Sequence, residues 1–360
     1  MKKAVLIILS AIVLFASSFG ISYAVMKNMN KKTPAVSGNM GPYPSDTVFV
    51  TISAVGDCTL GSDTAFGVGG SFPLELQNND GDYSYFLSKV RPYFEDDDIT
   101  IVNLEGPLSR GGIRADKKYA FRGDPDYVNI LSLSSVEAAN IANNHTLDYG
   151  KDAYEDTKKY LSEGGVTPFG CDTIAIVDIK GIKVGLIGTS ALSSADRVNY
   201  PKMFEQLKGE KPDLIIASFH WGVEKSVSPN ADQITLAHNA IDNGADLVIG
   251  HHPHVLQGIE KYKGKYIVYS LGNFCFGGNK SPVDRDTMIF SQTFTFYKGE
   301  RTDEENVNIV PCFVSSVKDR NNYQPIPATG EDFKRIRKKI VNLSANFEGV
   351  ENINFVEGDK

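Results

Sequence analysis

The chain has 360 residues, with 37 Lys and Arg against 44 Asp and Glu, a formal charge of −7. A nucleic-acid binder carries a basic excess, so that class is excluded, and the same balance argues against broad adhesion to an anionic lipid surface. Four cysteines (Cys58, Cys171, Cys275, Cys312) lack C-x-x-C spacing, which rules against a sulfur-ligated zinc site and leaves one or two disulfides open.

From the amino terminus, Ala4–Met26 runs for 23 residues without a charge. A bilayer core needs about 20 helical residues, so the run is long enough to span one. Lys2 and Lys3 precede it, and Lys27, Lys31 and Lys32 follow. The length favours an uncleaved single-pass anchor over residues 1–26, with the main domain outside the cell membrane. Ser22-Tyr23-Ala24 offers a cleavage site, and with it a secreted alternative. Residues 27–46 are rich in Lys, Asn, Pro, Ser and Gly and read as a linker.

Residues 47–290 alternate short apolar runs with helical patterns, the signature of an α/β domain with a substantially parallel sheet. The runs are Val48–Val55, Ile99–Leu104, Ala138–Ala142, Lys183–Gly188, Leu214–Phe219, Asp246–Ile249 and Tyr266–Leu271. Asp96-Asp97-Asp98 reads as a solvated turn before the second run. Residues 291–360 complete the domain. Phe290–Tyr297 alternates as an antiparallel strand, Lys298–Glu305 reads as a polar turn, and Val307–Val317 reads as a further strand. Phe333, Ile336, Ile340 and Leu343 fall at helical spacing behind Thr329 and Asp332, a capping pair. Lys334, Arg335, Arg337, Lys338 and Lys339 give that helix a basic face, either solvated or offered to an acidic polymer or a membrane surface.

The chemistry sits where the strands end, the place at which open α/β sheets bind ligands. The ends carry Gly56-Asp57, Asn103-Leu104-Glu105, Asn143-Asn144-His145, His220-Trp221-Gly222, Gly250-His251-His252-Pro253-His254 and Gly272-Asn273-Phe274. Five of the six histidines fall there; His238 lies in an amphipathic helical stretch as a surface or packing residue. In an extended segment, alternation puts His252 and His254 on one side and His251 on the other. Asp57, Glu105, Asn144, His220, His252 and His254 supply two carboxylates, one amide oxygen and three imidazoles. That set suits one or two divalent transition ions (Mn, Fe or Zn) better than Mg or Ca. His145, beside Asn144, is placed to pass a proton to a leaving group. Trp221 is expected to wall the site. Glu224, Asp148, His251 and Asn273 are expected to orient histidines or bind substrate. Arg122 is either a bidentate partner for an anionic substrate or a loop arginine on the surface.

These blocks, in this order, resemble the capsule synthesis protein CapA family, also called poly-γ-glutamate synthesis or PgsA-like, a branch of the calcineurin-like metallophosphatase superfamily. The resemblance rests on Ala54-Val55-Gly56-Asp57, Asn103-Leu104-Glu105, Ala142-Asn143-Asn144-His145, His220-Trp221-Gly222, the histidine cluster and Ser270-Leu271-Gly272-Asn273-Phe274. It implies a four-layer αββα sandwich of metallophosphatase type, with an N-terminal transmembrane helix and the metal site between the sheets. Carried onto matching positions, it implies that Asn144, His220, His252 and His254 are metal ligands, with Asp57 the first-motif aspartate and Glu105 the bridging carboxylate. It likewise implies that His145 is the proton donor. The chain departs from the superfamily's D-x-H motif, because Cys58 and Thr59 follow Asp57, so one donor to one of two ions is missing. The resemblance also implies a membrane-held role in capsule polymer biosynthesis or export, with other synthesis or export subunits as partners. Two readings stay open: an accessory protein with a metal site, or an active metal-dependent hydrolase acting on another envelope or small anionic substrate.

Overall fold

The computed structural model describes residues 43–193 and 200–358. The expected anchor and nearly all of the linker lie outside them. Among the described residues no helix is long and apolar enough to cross a membrane.

The apolar runs form strands of two sheets in a mixed α/β fold. The chain builds β1 (Thr47–Thr59), β2 (Ile99–Leu104), β3 (Ala138–Asn140) and β4 (Thr167–Phe169) in the first sheet. It then crosses to the second for β5 (Ala175–Ile179), β6 (Ile182–Ser190), β7 (Leu214–His220), β8 (Leu247–His251), β9 (Ile259–Tyr262) and β10 (Lys265–Val268). It returns for β11 (Asn273–Phe276), β12 (Asp286–Tyr297), β13 (Glu300–Phe313), β14 (Ile326–Pro327) and β15 (Asn354–Phe355). The first sheet runs β14-β13-β12-β1-β2-β3-β4, with β11 also on β1 and β15 on β13; the second runs β5-β6-β7-β8-β10-β9. β1 to β4 are mutually parallel, as are β6, β7, β8 and β10, so their carboxyl ends gather at one edge of each sheet.

Alternate residues of these strands enter different cores. Ile101 joins Ile52 and, from the other sheet, Ile216 and Ile249. Its neighbour Val102 instead packs with Leu131 and Leu161 of the helices Val128–Ser132 and Gly150–Glu163. In the second sheet Val248 packs with Phe204 and Ala237 of the helices Tyr200–Gly209 and Ala231–Asp242. Both faces of the central strands are therefore buried, which is why they read as continuous apolar runs. Each such side chain contributes about 1.5–3 kcal/mol, so a one-residue register slip is strongly disfavoured.

Four expectations change. The polar segment Lys298–Glu305 is a turn only at Lys298 and Gly299, with φ of 53° and 81°. A two-residue turn with both φ positive matches the twist of a hairpin, and β13 begins at Glu300 despite its polar residues, paired with β12 through the backbone. Asp96–Asp98 is not a freely solvated turn. Asp97 is buried and accepts from Thr100 Oγ1 at 2.5 Å, and Asp98 Oδ2 accepts from Thr51 N at 3.0 Å and Lys180 Nζ at 2.8 Å. Thr329 is the N-cap of the helix Gly330–Leu343 but makes no side-chain cap bond; Glu357 Oε1 accepts from Gly330 N instead, at 2.6 Å. All four cysteines are free thiols. His238 packs as expected, its ring 3.7 Å from that of Tyr262 and Nε2 at 2.9 Å from Glu260 Oε1.

Part of the basic helix face is committed inside the molecule. Arg335 reaches both oxygens of Asp286 at 2.8 and 2.7 Å, and Lys339 Nζ bonds Asp286 Oδ2 at 2.9 Å. Burial alone raises the Asp286 pKa, but the bonds from Arg335 and Lys339 outweigh it and hold the carboxyl below its ordinary value. A depressed folded pKa contributes stability above the unfolded value of about 4, lost as pH falls toward the folded value. Asp286→Asn is therefore expected to lower stability by about 1–2 kcal/mol at neutral pH. Denaturant melts checking this should show the gap to wild type closing below about pH 4.

Candidate metal centre

Asp57 stands near the end of β1, where the strand is pinned against the chain before β11. A Cβ at Gly56 would lie 2.1 Å from Gly272 O, so only glycine permits this approach. It brings Asp57 N to 2.9 Å from Gly272 O and sets Asp57 opposite Asn273 in register. On the other edge Asp57 pairs with Asn103 of β2. Glu105, two residues beyond Asn103, follows the end of that strand. Asn103 Nδ2 donates to Asp57 Oδ1 at 2.9 Å and lies 3.3 Å from both Glu105 Oε1 and His220 Nδ1. Asn140 Nδ2 in turn donates to Asn103 Oδ1 at 2.9 Å.

The second sheet contributes the histidines. β7 ends at His220 and β8 at His251, in register. The extended conformation stops there: His252 and His254 have φ of 95° and 58°. Left-handed φ at a residue other than glycine costs on the order of 1–3 kcal/mol, and such strain collects at functional sites. The expected division of the cluster therefore fails, and His251 turns toward Asp57 as His254 does. His251 Nδ1 is 3.3 Å from Asp57 Oδ1, His254 Nδ1 is 3.1 Å from Asp57 Oδ2, and the His252 amide donates to Asp57 Oδ2 at 3.2 Å. The His252 ring lies 4.7 Å from that of His220. Asn273 Oδ1 meets His254 Nδ1 at 2.9 Å.

After β3 the chain presents Asn144, His145 and Asp148. Asn144 Oδ1 lies 2.8 Å from His220 Nε2, which sets the amide of the first sheet against the imidazole of the second. His145 Nδ1 is 2.7 Å from Asp148 Oδ2. Asp148 also accepts from Phe121 N at 2.5 Å and pairs with Lys117. The His145 ring packs on Phe121, centroids 4.4 Å apart.

Burial raises the Asp57 pKa, but the imidazoles of His251 and His254 beside it outweigh that and hold the carboxyl well below its ordinary value. Glu105 moves the other way, pushed well above its ordinary range by burial and by the Asp57 charge. Burial, then His252, drives His220 well below its usual value; burial, then His254, brings His252 to about 4. His254 rises to about 9 against its own burial, held there by Glu105 and Asp57. Burial lowers His145, with Asp148 opposing.

A divalent ion fits these residues. Glu105 Oε2 and His252 Nδ1 are buried without a hydrogen-bond partner among the described residues. A buried polar group left unpaired costs about 1–3 kcal/mol, more when it is charged. Donor atoms of Asp57, Glu105 and His254 lie within 4.8 Å of one another. Anionic oxygen with imidazole nitrogen is the chemistry of Mn, Fe and Zn sites.

The expected residues thus converge, with two exceptions. Trp221 does not wall the site: it lies in the helix-facing core, 4.7 Å from the Phe219 ring, with Nε1 donating to Tyr269 O at 2.9 Å. Alternation explains this, since His220 precedes it on the inner face. Arg122 is spent on its own surroundings, its guanidinium 4.2 Å over the Tyr149 ring and Nη1 donating to Gly111 O at 3.1 Å. Glu224 lines an adjoining cavity of about 370 Å³, which His145 and His254 also line. Asn103 is a site residue that the sequence reading missed. Its signal is the i, i+2 spacing to Glu105, which suggests a shared side.

Comparison with known proteins fits this arrangement. The profile of the bacterial capsule synthesis protein PGA_cap family matches residues 51–278, from the middle of β1 to just past β11. The chain belongs to that family. Among curated relatives, the capsule biosynthesis protein CapA of Bacillus anthracis is 29% identical over 255 residues, 63% of this chain and 60% of that one. The PGA biosynthesis protein CapA of Bacillus subtilis (strain 168) is 28% identical over 282 residues, 72% of this chain and 70% of that one. The chain thus spans under two thirds of the first relative's length. Every strand end that carries a site residue falls within the PGA_cap match.

Proposed function

We propose that this PGA_cap protein is an extracytoplasmic accessory of capsule polymer synthesis or export, poly-γ-glutamate being the polymer. In this reading residues 4–26 hold it to the membrane, and it acts through a metal-dependent hydrolytic site. The helix–sheet–sheet–helix order of the cores supports the four-layer metallophosphatase architecture. The capsule role is supported by the family and by the names of the two relatives. The observation that carries the site is the unpartnered Glu105 Oε2, buried beside Asp57 and His254.

Asp57, Glu105 and His254 would hold the ion, with His252, His220 and Asn144 completing its surroundings. When bound, such an ion acts as a Lewis acid and brings water toward ionisation near neutral pH. The chain's own residues do the rest. Asp148 accepts from His145 Nδ1 and so fixes the tautomer, leaving Nε2 to hold or pass a proton at the cavity. Lys117 and the Phe121 amide hold Asp148 in turn. Asn103 ties Asp57 to Glu105 across the two strands. Hydrolysis is favoured over a purely structural metal site because His145, with its carboxylate, opens on a cavity of ligand size.

The test is genetic. In a strain lacking this gene, wild type should restore the polymer. His145→Ala, and a chain without residues 4–26, should not. Full polymer yield with His145→Ala at normal protein level would remove the hydrolytic reading.

A further inference from the structure

The cavity before His145 and His254 has its own chemistry, and aromatic rings set much of it. Four aromatic rings line it: Phe66, Tyr119, Phe121 and Phe276. They form a file from solvent to the reacting end. Phe66 lies 5.4 Å from Tyr119, Tyr119 6.5 Å from Phe121, and Phe121 4.4 Å from His145; Phe276 lies 4.9 Å from His254. The inner ring of Phe121 is 5% exposed, but Phe66 is 53% and Tyr119 42% exposed. Two large rings standing at a cavity mouth mark a contact surface. The loop that bears Phe66 is held: Lys280 Nζ donates to Phe66 O, Gly67 O and Gly69 O at 3.2, 3.0 and 2.6 Å.

Two of the charged groups in the lining are committed elsewhere. Lys280 keeps its charge but directs its protons to those carbonyls. Asp63 is spent on Arg114 Nε at 2.9 Å and Nη2 at 2.6 Å, and on the amides of Ala65 and Ala120. Glu224, Lys225 and the hydroxyls of Ser62 and Tyr119 are among the lining groups whose side chains have no hydrogen-bond partner among the described residues. A polyanion would meet the ammonium groups of Lys225 and Lys280 but leave the four rings without an apolar partner. An acyl chain would use the rings but leave these polar groups unpaired at its side.

A ligand that uses both has an apolar face and a polar edge. Pyranose rings have that form: axial C–H groups cover one face and lie well on the negative face of an aromatic ring, while hydroxyls point outward. We propose that this cavity is a stacking subsite for a glycosyl unit, with Phe66 and Tyr119 under its C–H face and Glu224, Lys225 and Ser62 at its hydroxyls. The compound acted on at His145 is then a glycosyl-bearing envelope compound, distinct from the poly-γ-glutamate chain whose synthesis or export the protein serves. This last step rests on the hydrolytic reading above; the subsite itself does not.

The test is binding, with the full chain in a non-glycosidic detergent, since a sugar-headed detergent would compete. The probes are a tetramer of β-linked N-acetylglucosamine, a γ-linked glutamate oligomer and octanoate, followed by calorimetry and by saturation-transfer NMR. The tetramer should bind, with transfer strongest to the axial protons of one ring face. Tyr119→Ala and Phe66→Ala should each weaken it about tenfold, the scale of one lost ring contact. Tyr119→Phe should not. Both rings are exposed, so the melting temperatures of these variants should match wild type. No binding of the tetramer would overturn the proposal, as would equal affinity in wild type and both alanine variants. Preferred binding of the glutamate oligomer or octanoate with the same ring dependence would overturn it too. Normal sugar binding together with unaltered turnover in His145→Ala would sink the hydrolytic reading and leave the subsite standing.

Discussion

Asp57→Ala is expected to lower affinity for a divalent transition ion by at least about a hundredfold, more than loss of an outer partner usually does. Asp57 is fully buried and holds the centre from both sheets. One oxygen faces Asn103 and His251; the other faces His254 and the His252 amide. Removing it takes away an anionic donor and also releases the strained turn that carries two histidines. Because that turn also rests on the carboxylate, Asp57→Asn is the companion variant: it keeps the volume and one carbonyl oxygen but loses the charge. Both should show the loss when Mn, Fe or Zn is titrated into protein stripped of metal, with circular dichroism confirming the fold. Wild-type affinity in a folded Asp57→Asn protein would contradict the assignment of this carboxylate.

His145→Ala is expected to lower turnover by about 10²–10⁴ and leave metal content unchanged, since general acid–base catalysis contributes on that scale. The separation follows from geometry. His145 has its Nδ1 engaged by Asp148 and its ring against Phe121, and it makes no contact with the two carboxylates Asp57 and Glu105 among the described residues. Asp148→Asn should cost less, because the imidazole keeps its place against Phe121 and loses only the carboxylate that fixes its tautomer. Steady-state rates on phosphoesters and amides, with elemental analysis of the same samples, check both. Loss of metal along with activity would instead make His145 part of the metal's support.

Much of this site was readable because strand ends in a parallel sheet are chemically distinctive. A buried run that stops at a glycine and an acid, amide or imidazole is unlike an ordinary loop, and six such runs appear as strands close to their expected positions. What failed did so for physical reasons. The histidine cluster was treated as extended, but left-handed φ at His252 and His254 brings His254 onto the same Asp57 that His251 faces from the end of β8. Trp221 was taken for a wall because it follows His220, although adjacent strand residues face opposite layers. Arg122 carries no local mark that Tyr149, 27 positions away, would take its guanidinium. β4, β9 and β11 have three or four residues each, too short for periodicity to separate them from loop. The aromatic file of the cavity joins Phe66, Tyr119, Phe121 and Phe276, whose grouping depends on which loops meet.

The central claim is that an ion sits among Asp57, Glu105 and His254. Anomalous X-ray diffraction tests it most directly, on crystals of the manganese-loaded protein measured either side of the metal's absorption edge. The account predicts one or two anomalous peaks among those three side chains, absent in crystals of Asp57→Asn. An ordered site with no peak there, from protein that retains its manganese, would contradict it.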